Sequence, residues 1–568
     1  MKLKNLDKIF TGLAVILLVA HLGLQLHLAS RDSQTTDEGV HLLAGYTYLT
    51  KHDYRFNPEH PILVKELSAI PLLFMKVNLP SDFDRMWNGS SDFFYDNWRE
   101  NRILGEVFLY QSGNDPQQLL FWGRFPIVLL TILLGVLILL FAKSRFSAKG
   151  ALLATALYVL NPVIIAHGHL ITTDIAVSLG CFLTIILFLK YFKEQTWKNL
   201  LLLSLAFTFS QLVKFTAVIL LPLGLLLFAY SSFSDIVKRG SRLKMFVMLI
   251  FATLFSWLII WACYGFDTTQ IPRVDSISGV MIEKNAPDKP IEINTSEQGG
   301  FDKVMSAISP ILIPRDYFKG LFMVLTHVES GHDSYLLGKF SNKGWWYYFP
   351  VVFIAKNPIP SLLIFAMAIY CVFSFRKNKR ENIFILLGAM GFLVAAMTSK
   401  ANLGVRHILP IFPLLMLLSA NTTNLKTLLS RAIVIILALW LIFEAIVNFP
   451  FYLSYFNQIF GGRENGYKVA SDSNLDWGRD VKDISRYLST HDLSPAYIEY
   501  GWNGPSSLTY YDVNLQDASS VTRDTIGYLI IGGSAVDSQR FAWLDYLPIY
   551  DRITPSVFVY KLNGSADE

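Results

Sequence analysis

The sequence predicts a polytopic α-helical membrane protein that ends in a small soluble α/β domain. Hydrophobic residues make up 52% of the 568-residue chain and charged residues only 16%, whereas soluble domains carry about 25% charged residues. The mean hydropathy is +0.39, and several apolar runs exceed the ~18 residues that a helix needs to cross hydrocarbon. After residue 449 these runs give way to short strand-like segments.

The apolar runs predict eleven membrane spans. The first follows a basic N-terminus and holds about 20 apolar residues, so we expect a retained helix rather than a signal peptide. The fifth and sixth are short and meet at Lys214, which predicts a hairpin that barely crosses the membrane. The predicted spans are 9–29, 124–142, 150–166, 174–192, 199–213, 216–231, 245–265, 357–375, 382–399, 405–420 and 432–449.

The charge of the connecting segments predicts the orientation. Alternate segments hold 19 Lys/Arg and four acids in total, and the positive-inside rule places them, with the N-terminus, in the cytoplasm. The segments in between then face outward, and the first of them, 30–123, holds 13 acids. The basic segments are 1–8, 143–149, 190–198, 235–244, 376–381 and 426–431.

This topology divides the chain into a transmembrane domain, 1–449, and an outward-facing α/β domain, 450–568. The transmembrane domain has two large outer loops, 30–123 and 266–356. Within the last domain "AYIEYGW", "TIGYLIIGG" and "SVFVYKL" are typical of strands, and "WGRDVKDISRYL" is typical of a helix.

Two segments of the first outer loop predict helices that lie on the membrane surface. In 39–49 and 62–74 the apolar residues can share one helical face. A plain surface loop is the alternative for both segments. Such helices would press the polar residues beside them down onto the bilayer.

Cysteine content and missing motifs narrow the class of protein. Cys181, Cys263 and Cys371 all fall inside apolar runs, so the hydrophilic segments have no disulfide framework. This favours a bacterial inner membrane. No glycine-rich phosphate loop appears, so we expect neither a nucleotide cofactor nor nucleic-acid binding.

Ionisable residues gather at the outer ends of the predicted spans, where they are costly and usually functional. The adjacent acids Asp37 and Glu38 follow the first span directly. Snorkelling explains any single cation at a span end. A set of cations on the outer side instead favours an anionic group such as a lipid phosphate. The other residues of this layer are Arg124, Asp174, Lys214, Lys356, Arg406 and His407.

Three further motifs carry polar side chains at the same level. Glu59 and His60 lie between two prolines, and "HGHLITTDIAV" places His167 and His169 close to Asp174 in a short outward turn. Such ligands can hold a divalent cation, although histidines also simply cap span ends. In "SDSNLDWGRD", residues 471–480, Asp476, Trp477 and Arg479 either contact an acceptor or cover the site. Alternatively, Asn474 only caps the following helix, with Trp477 packed beneath it.

Together these motifs resemble the bacterial members of the protein mannosyltransferase-like family, within the GT-C glycosyltransferase superfamily, whose relatives include the aminoarabinose transferases. The resemblance extends over nearly the whole chain. The motifs that carry it are "DE" at 37–38, "FNPEHPILVKEL" at 56–67, "ITTDIAV" at 171–177, "LVKFTAVILLP" at 212–222, "AKNPIPSLL" at 355–363, "GVRHILP" at 404–410 and "SNLDWGRD" at 473–480.

The resemblance implies a GT-C helical bundle with interfacial helices in the first outer loop, and transfer of a sugar from a polyprenyl-phosphate carrier to an outward acceptor. Asp37 matches the family's catalytic aspartate. Glu59 and Asp174 match the acids that bind a divalent metal in the aminoarabinose branch. At the position of His60 that branch has Lys. In this chain His60 would instead donate a hydrogen bond or join the metal.

The chemistry of such a transfer assigns a role to each group. Asp37 is the predicted general base, with Glu38 to position or tune it. Phosphate leaves readily once its charge is stabilised, and the candidates for that are Lys356, Arg406, His407, Lys214 and Arg124. A single displacement inverts the configuration at the sugar, as in inverting glycosidases.

The donor and acceptor are predicted only as classes. An undecaprenyl-type phosphate is the expected carrier in a bacterium, and a protein, a glycolipid or a growing polysaccharide all fit as acceptor. The rival functions are a transporter or flippase, and a polymerase or ligase, of polyprenyl-linked glycans. A transporter would place its site near the membrane midplane, whereas the charged layer predicted here is at one boundary.

Overall fold

The computed structural model describes residues 2–81, 83, 98–266, 314–501, 504–536 and 538–564. In the first half of the chain, all regular secondary structure of the described residues is helical. Its helices are α1 (Lys2–Arg31), α2 (Glu38–Lys51), α3 (Leu63–Ala69), α4 (Trp98–Tyr110), α5 (Pro116–Arg145), α6 (Ala148–Val159), α7 (Pro162–His167), α8 (Asp174–Lys193), α9 (Trp197–Val213), α10 (Leu220–Phe233) and α11 (Arg242–Cys263).

The described part of the second half adds further helices and a short hairpin. The helices are α12 (Arg315–Ser330), α13 (Tyr348–Lys356), α14 (Ile359–Ser374), α15 (Lys379–Met397), α16 (Ile411–Ser419) and α17 (Leu428–Val447). The hairpin strands β1 (Ser334–Leu336) and β2 (Lys339–Ser341) pair antiparallel.

Seven described helices are long and apolar enough to cross a membrane. The bent pair α13 and α14, which turns by 115°, makes eight if it forms one span. The prediction of a polytopic helical membrane protein is therefore confirmed. The seven are Asn5–Arg31, Pro116–Arg145, Asp174–Lys193, Phe215–Phe233, Arg239–Cys263, Lys379–Met397 and Leu428–Val447.

Two of the eleven predicted spans are divided into shorter elements, and a third forms one helix of 17 residues. The predicted span 150–166 breaks into α6 and α7, because Asn161 caps a new helix that begins at Pro162. The predicted span 405–420 becomes a 3₁₀ turn followed by α16, and 199–213 is the single helix α9. Continuous hydrophobicity therefore overstates the number of full crossings.

Helix α8 lies at the centre of the bundle and brings the first site residue with it. It is the most buried of the seven candidate spans, at 83%, and packs against α5 and α9. A helix surrounded by protein is apolar on every side, which explains the unbroken hydrophobic sequence after Asp174. That acid is the first residue of α8 and is buried.

The two predicted surface helices exist, but their surroundings differ from the prediction. Helix α2 is buried along most of its length and packs against α3 and α4. Instead, the 3₁₀ turn Ile70–Phe74 exposes apolar side chains, and Phe74 is 86% exposed. The exposed apolar surface of this loop is therefore at the turn, while α2 forms part of the protein interior.

The C-terminal region folds into a five-stranded mixed sheet, as the strand-like motifs predict. The strand order is β4-β3-β5-β7-β6, with β3 parallel to β4 and β5, and β7 antiparallel to β5 and β6. The strands are β3 (Ala496–Glu499), β4 (Gln516–Asp517), β5 (Ile526–Gly532), β6 (Ile549–Thr554) and β7 (Val557–Asn563), and the helices are α18 (Val481–Leu488), α19 (Pro505–Tyr510) and α20 (Gly533–Val536).

Candidate active site

The N-terminus of α8 holds the first ion pair of the site. Lys214 Nζ lies 2.5 Å from Asp174 Oδ1, and both side chains are almost completely buried. Lys214 stands where α9 ends and a 3₁₀ turn, Phe215–Ile219, begins. The predicted break at Lys214 is present, and it points the ammonium group at the α8 end.

Arg406 connects this pair to the first acid of the chain. Its Nη1 lies 3.3 Å from Oδ2 of Asp37 and 3.9 Å from Oδ2 of Asp174. Its Nε has no hydrogen-bond partner among the described residues. The guanidinium therefore bridges two carboxylates that are distant in sequence and keeps donor capacity for a further group.

Asp37 is the accessible acid of this group. It occupies the residue before α2, yet its side chain caps no helix N–H group, although aspartate there usually does. Its side chain is 26% exposed, while that of Asp174 is fully buried. Asp37 is thus oriented toward Arg406 and toward accessible space rather than toward its own helix.

Glu38 points away from Asp37 into a buried structural network. Its two carboxylate oxygens accept from Arg124 at 2.8 and 2.6 Å, and they also accept from the N–H groups of Thr35 and Ile171. Burial would raise the pKa of Glu38, but the Arg124 charge and these hydrogen bonds lower it. The predicted catalytic role for Glu38 is corrected to a structural one.

Arg124 and Lys356 are likewise occupied, which corrects their assignment to a phosphate. The five N–H donors of Arg124 bond to Glu38 and to the carbonyls of residues 29, 32 and 33. Lys356 Nζ donates to the carbonyls of Leu453 and Asn474 at 2.7 and 2.5 Å. Neither cation has a contact with Asp37 or Asp174 among the described bonds.

Glu59 and His60 lie at the border of the same group. Their side chains are 3.7 Å apart and partly buried, and the His60 ring lies 5.7 Å from that of His41. Burial, reinforced by the charge of Asp37, raises the pKa of Glu59 to about 8. Burial and the charge of Lys214 hold the pKa of His60 well below its usual value. At pH 7 both groups are therefore mainly neutral.

These side chains do not fit a divalent metal. Among the described residues, no group of three or more His, Cys, Asp or Glu could hold an ion. Lys214 already neutralises Asp174 at 2.5 Å. The predicted set of Glu59, Asp174 and His60 is therefore an electrostatic cluster of protein groups.

The histidines of the α7–α8 turn separate from one another. His169 contacts Asp32 and Gln25, each at 3.2 Å. The His167 ring instead packs edge-on against Trp477, with centroids 6.2 Å apart. His407 stays near the site, and its Nε2 has no hydrogen-bond partner within the part of the chain that the structure describes. The predicted triad of histidines with Asp174 does not form.

The motif at 471–480 is largely buried. Asp476, Trp477 and Arg479 are each at most 2% exposed, which favours the structural alternative over contact with an acceptor. Asp476 accepts from Ser534 Oγ at 3.0 Å. Asn474 does not cap the following helix, because its side chain accepts from Val405 N at 2.9 Å.

Two residues near the site were not singled out from the sequence. Asp32 is fully buried and pairs with Arg31, Arg479 and His169. Asp472, at a φ of +60°, lies 3.9 Å from His332. Asp32 follows the first span in the same polar run as Asp37, which was a usable signal. Nothing in the sequence around Asp472 distinguishes it from an ordinary turn residue.

Comparison with known proteins adds a family to this geometry. Residues 118–261 match the family of dolichyl-phosphate-mannose-protein mannosyltransferases. The match supports a mannosyltransferase-like segment in this part of the chain. It includes Arg124, Asp174 and Lys214, and so contains both partners of the buried ion pair. A search of curated proteins found no match.

Comparison with solved structures gives two weak likenesses that extend along most of the chain. ArnT from Cupriavidus metallidurans, bound to undecaprenyl phosphate, is 12% identical with a TM-score of 0.45, covering 98% of this chain and 99% of that one. The archaeal oligosaccharyltransferase AglB from Archaeoglobus fulgidus, with an inhibitory peptide and a dolichol phosphate, is 10% identical with a TM-score of 0.47. The alignment covers 98% of this chain and 75% of the AglB chain.

Proposed function

We propose that this chain transfers a sugar from a polyprenyl-phosphate donor to an acceptor hydroxyl or amine at the outer face of the membrane. The proposal rests mainly on the position of Arg406, whose Nη1 lies 3.3 Å from the accessible Asp37 and 3.9 Å from the buried Asp174. The family match supports a lipid-phosphate sugar as donor, since the family is described by a dolichyl-phosphate mannose substrate.

The cations suit a departing phosphate. Arg406 and Lys214 are both anchored by the buried Asp174, so their positions are set before any ligand arrives. Preorganised donors aimed at developing negative charge lower the barrier without reorganisation. In the proposed complex, the donor phosphate takes the free donor capacity of Arg406 and draws its guanidinium away from Asp37.

Asp37 is suited to act as the general base. The acceptor oxygen or nitrogen attacks the anomeric carbon and loses its proton to the Asp37 carboxylate, as the bond from that carbon to the phosphate oxygen breaks. The electron pair of that bond leaves with polyprenyl phosphate. One displacement of this kind inverts the anomeric configuration. No nucleotide takes part, and the donor carries its own leaving group.

A mainly neutral Glu59 is compatible with binding of the donor phosphate. Asp37 contributes to raising the pKa of Glu59 to about 8, so the two acids near Arg406 are not both ionised at pH 7. A second negative charge there would repel the donor phosphate. The neutral carboxyl can instead donate a hydrogen bond to a donor oxygen.

The orientation completes the proposal. The basic segments predict a cytoplasmic N-terminus, so we propose that the Asp37 end of the bundle and the C-terminal sheet face outward. The bacterial inner membrane is the proposed location. The lipid tail of the donor then stays among the helices, while its phosphate reaches the level of Arg406.

The experiment uses the purified full chain in detergent with a panel of polyprenyl-phosphate hexose, pentose and amino-sugar donors. Mass spectrometry follows release of free polyprenyl phosphate in the presence of extracted surface glycans. The wild-type chain should release it and Asp37→Asn should not, while Asp53→Asn, at an ion pair with Arg55, serves as the matched control. Movement of intact donor across vesicles without bond cleavage would support the transporter instead.

A further inference from the structure

Residues 473–479, which we name the strap, lie between the loop that carries Asp37 and the turn that carries Arg406. We infer that the strap positions these two residues relative to one another, with Trp477 as the positioning residue for Arg406. The inference rests on the proposed function and adds that the C-terminal region forms part of the active site.

On one side the strap holds the chain that leads into Asp37. The N–H of Thr36 donates to the carbonyl of Trp477 at 3.0 Å, and the N–H of Ser33 donates to the carbonyl of Arg479 at 3.1 Å. Between them Gly478 has a φ of +93°, a conformation that favours glycine. Because Asp37 follows Thr36 directly, these bonds fix the position of the Asp37 backbone.

On the other side the strap holds the turn before Arg406. The side chain of Asn474 accepts from the N–H of Val405 at 2.9 Å, and Ser473 Oγ donates to the carbonyl of Leu403 at 2.6 Å. The segments that carry the base and the phosphate-binding cation are therefore bonded to the same seven residues.

Trp477 also contacts Arg406 through its side chain. The Cζ of Arg406 lies 4.0 Å from the centre of the indole ring, and Trp477 is only 2% exposed. A guanidinium over a tryptophan face is attracted to the negative face of the ring, more strongly when both groups are desolvated. The indole thus closes one face of Arg406 and leaves its edges for Asp37, Asp174 and a donor phosphate.

Buried charges tie the strap to the helical bundle. Lys356 Nζ donates to the Asn474 carbonyl at 2.5 Å. Arg479 lies 3.3 Å from Asp32, which also contacts His169 at 3.2 Å. The proposed transfer chemistry uses none of these charges, and anchoring the strap gives Lys356 and Asp32 a role.

The experiment compares Trp477→Phe with Trp477→Leu in the full chain. Binding of undecaprenyl phosphate is measured, together with kcat and KM for the polyprenyl-phosphate sugar donor and the melting temperature. The leucine variant should bind roughly tenfold more weakly, the equivalent of the cation–π attraction, and should have a raised KM. The phenylalanine variant should recover most of the affinity. Trp440, which donates to Glu444 in α17, supplies the matched control, and Trp440→Leu should leave KM unchanged.

A fluorinated tryptophan placed at position 477 alone tests the same contact if the leucine variant does not fold. It keeps the shape of the ring but weakens its attraction for a cation, and should also raise KM. Wild-type affinity and KM in the fluorinated and leucine chains would overturn the inference while leaving the proposed function intact. Failure of the wild-type chain to bind undecaprenyl phosphate or transfer a sugar would instead overturn the proposed function.

Discussion

Arg406 Nη1 lies 3.3 Å from the carboxylate of Asp37, the more exposed of the two acids that it approaches. This contact joins the first outer loop to a turn more than 300 positions later, and it defines the place where a sugar phosphate would meet both a base and a cation. The side chains around this contact therefore each have a distinct and testable role in the proposed transfer.

Asp37→Asn should abolish transfer without unfolding the chain. A general base contributes about 10²–10⁴ in rate, and the Asp37 side chain is 26% exposed, so its replacement costs little packing. Single-turnover measurement of released polyprenyl phosphate checks the rate, and circular dichroism checks the fold. A rate within a few fold of wild type would remove Asp37 from the mechanism.

Arg406→Lys should raise KM for the donor and lower kcat. Lysine keeps the charge, but it cannot reach Asp37, Asp174 and a phosphate at once, since it lacks the planar fork of donors. Its stack on Trp477 would also weaken. Steady-state kinetics with varied donor measures both constants. Lys51, a half-buried cation in the last turn of α2, provides the control through Lys51→Gln, which should change neither.

Glu38→Gln should reduce stability more than it affects chemistry in the molecules that remain folded. It leaves the buried Arg124 guanidinium without its counter-charge, and breaking one side of a buried pair costs about 3–5 kcal/mol. Thermal unfolding in detergent measures the loss. The double replacement Glu38→Met with Arg124→Met should recover part of it, because no unpaired charge remains. A stable but inactive Glu38→Gln chain would return Glu38 to a catalytic role.

Transfer should weaken as pH rises through about 8. In the folded chain the pKa of Glu59 is raised by burial and by Asp37 to about 8, so Glu59 is protonated below that pH and ionised above it. The new charge beside Asp37 repels the donor phosphate. Folding stability should fall over the window from the ordinary glutamate pKa to about 8, because the unfolded chain releases this proton first.

Glu59→Gln tests this assignment, since glutamine stays neutral at every pH. The variant should keep its donor affinity above pH 8, where that of wild type declines. Profiles of kcat/KM against pH for both chains provide the measurement. An identical alkaline decline in both would assign it to another group.

Chelation should leave transfer unchanged. Lys214 supplies the positive charge beside Asp174, and the described residues contain no group of three or more His, Cys, Asp or Glu that could hold an ion. Activity is measured after prolonged dialysis against EDTA, and again after addition of zinc or manganese. Loss of activity that a metal restores would show that Glu59, Asp174 and His60 do bind an ion during turnover.

Much of the architecture follows from the sequence, for identifiable reasons. Apolar runs and the strand-like motifs predicted the helical bundle and the C-terminal sheet, because hydrophobic length and alternation report burial directly. Strands β4 and β6 were missed, since β4 has two residues and β6 carries mixed polarity. Runs broken by Asn161 or by Pro410 were predicted as spans because hydropathy does not register a local helix cap or turn.

The site was predicted as a layer of charges, and the structure divides that layer. Asp37, Asp174, Lys214 and Arg406 meet, whereas Glu38, Arg124 and Lys356 bond to structural partners. Sequence alone placed all of them at one depth, but depth does not say which direction a side chain takes. Glu38 turns away from Asp37 because the two stand at the start of a helix, where adjacent side chains point in different directions.

The most direct test is release of free polyprenyl phosphate by the purified wild-type chain and by Asp37→Asn, assayed side by side with the same donor and acceptor. We predict that the wild-type chain releases it in step with the glycosylated acceptor, and that the variant releases at least about a hundredfold less. Equal release by both chains, or donor moved intact without cleavage, would contradict a transferase built on Asp37 and Arg406.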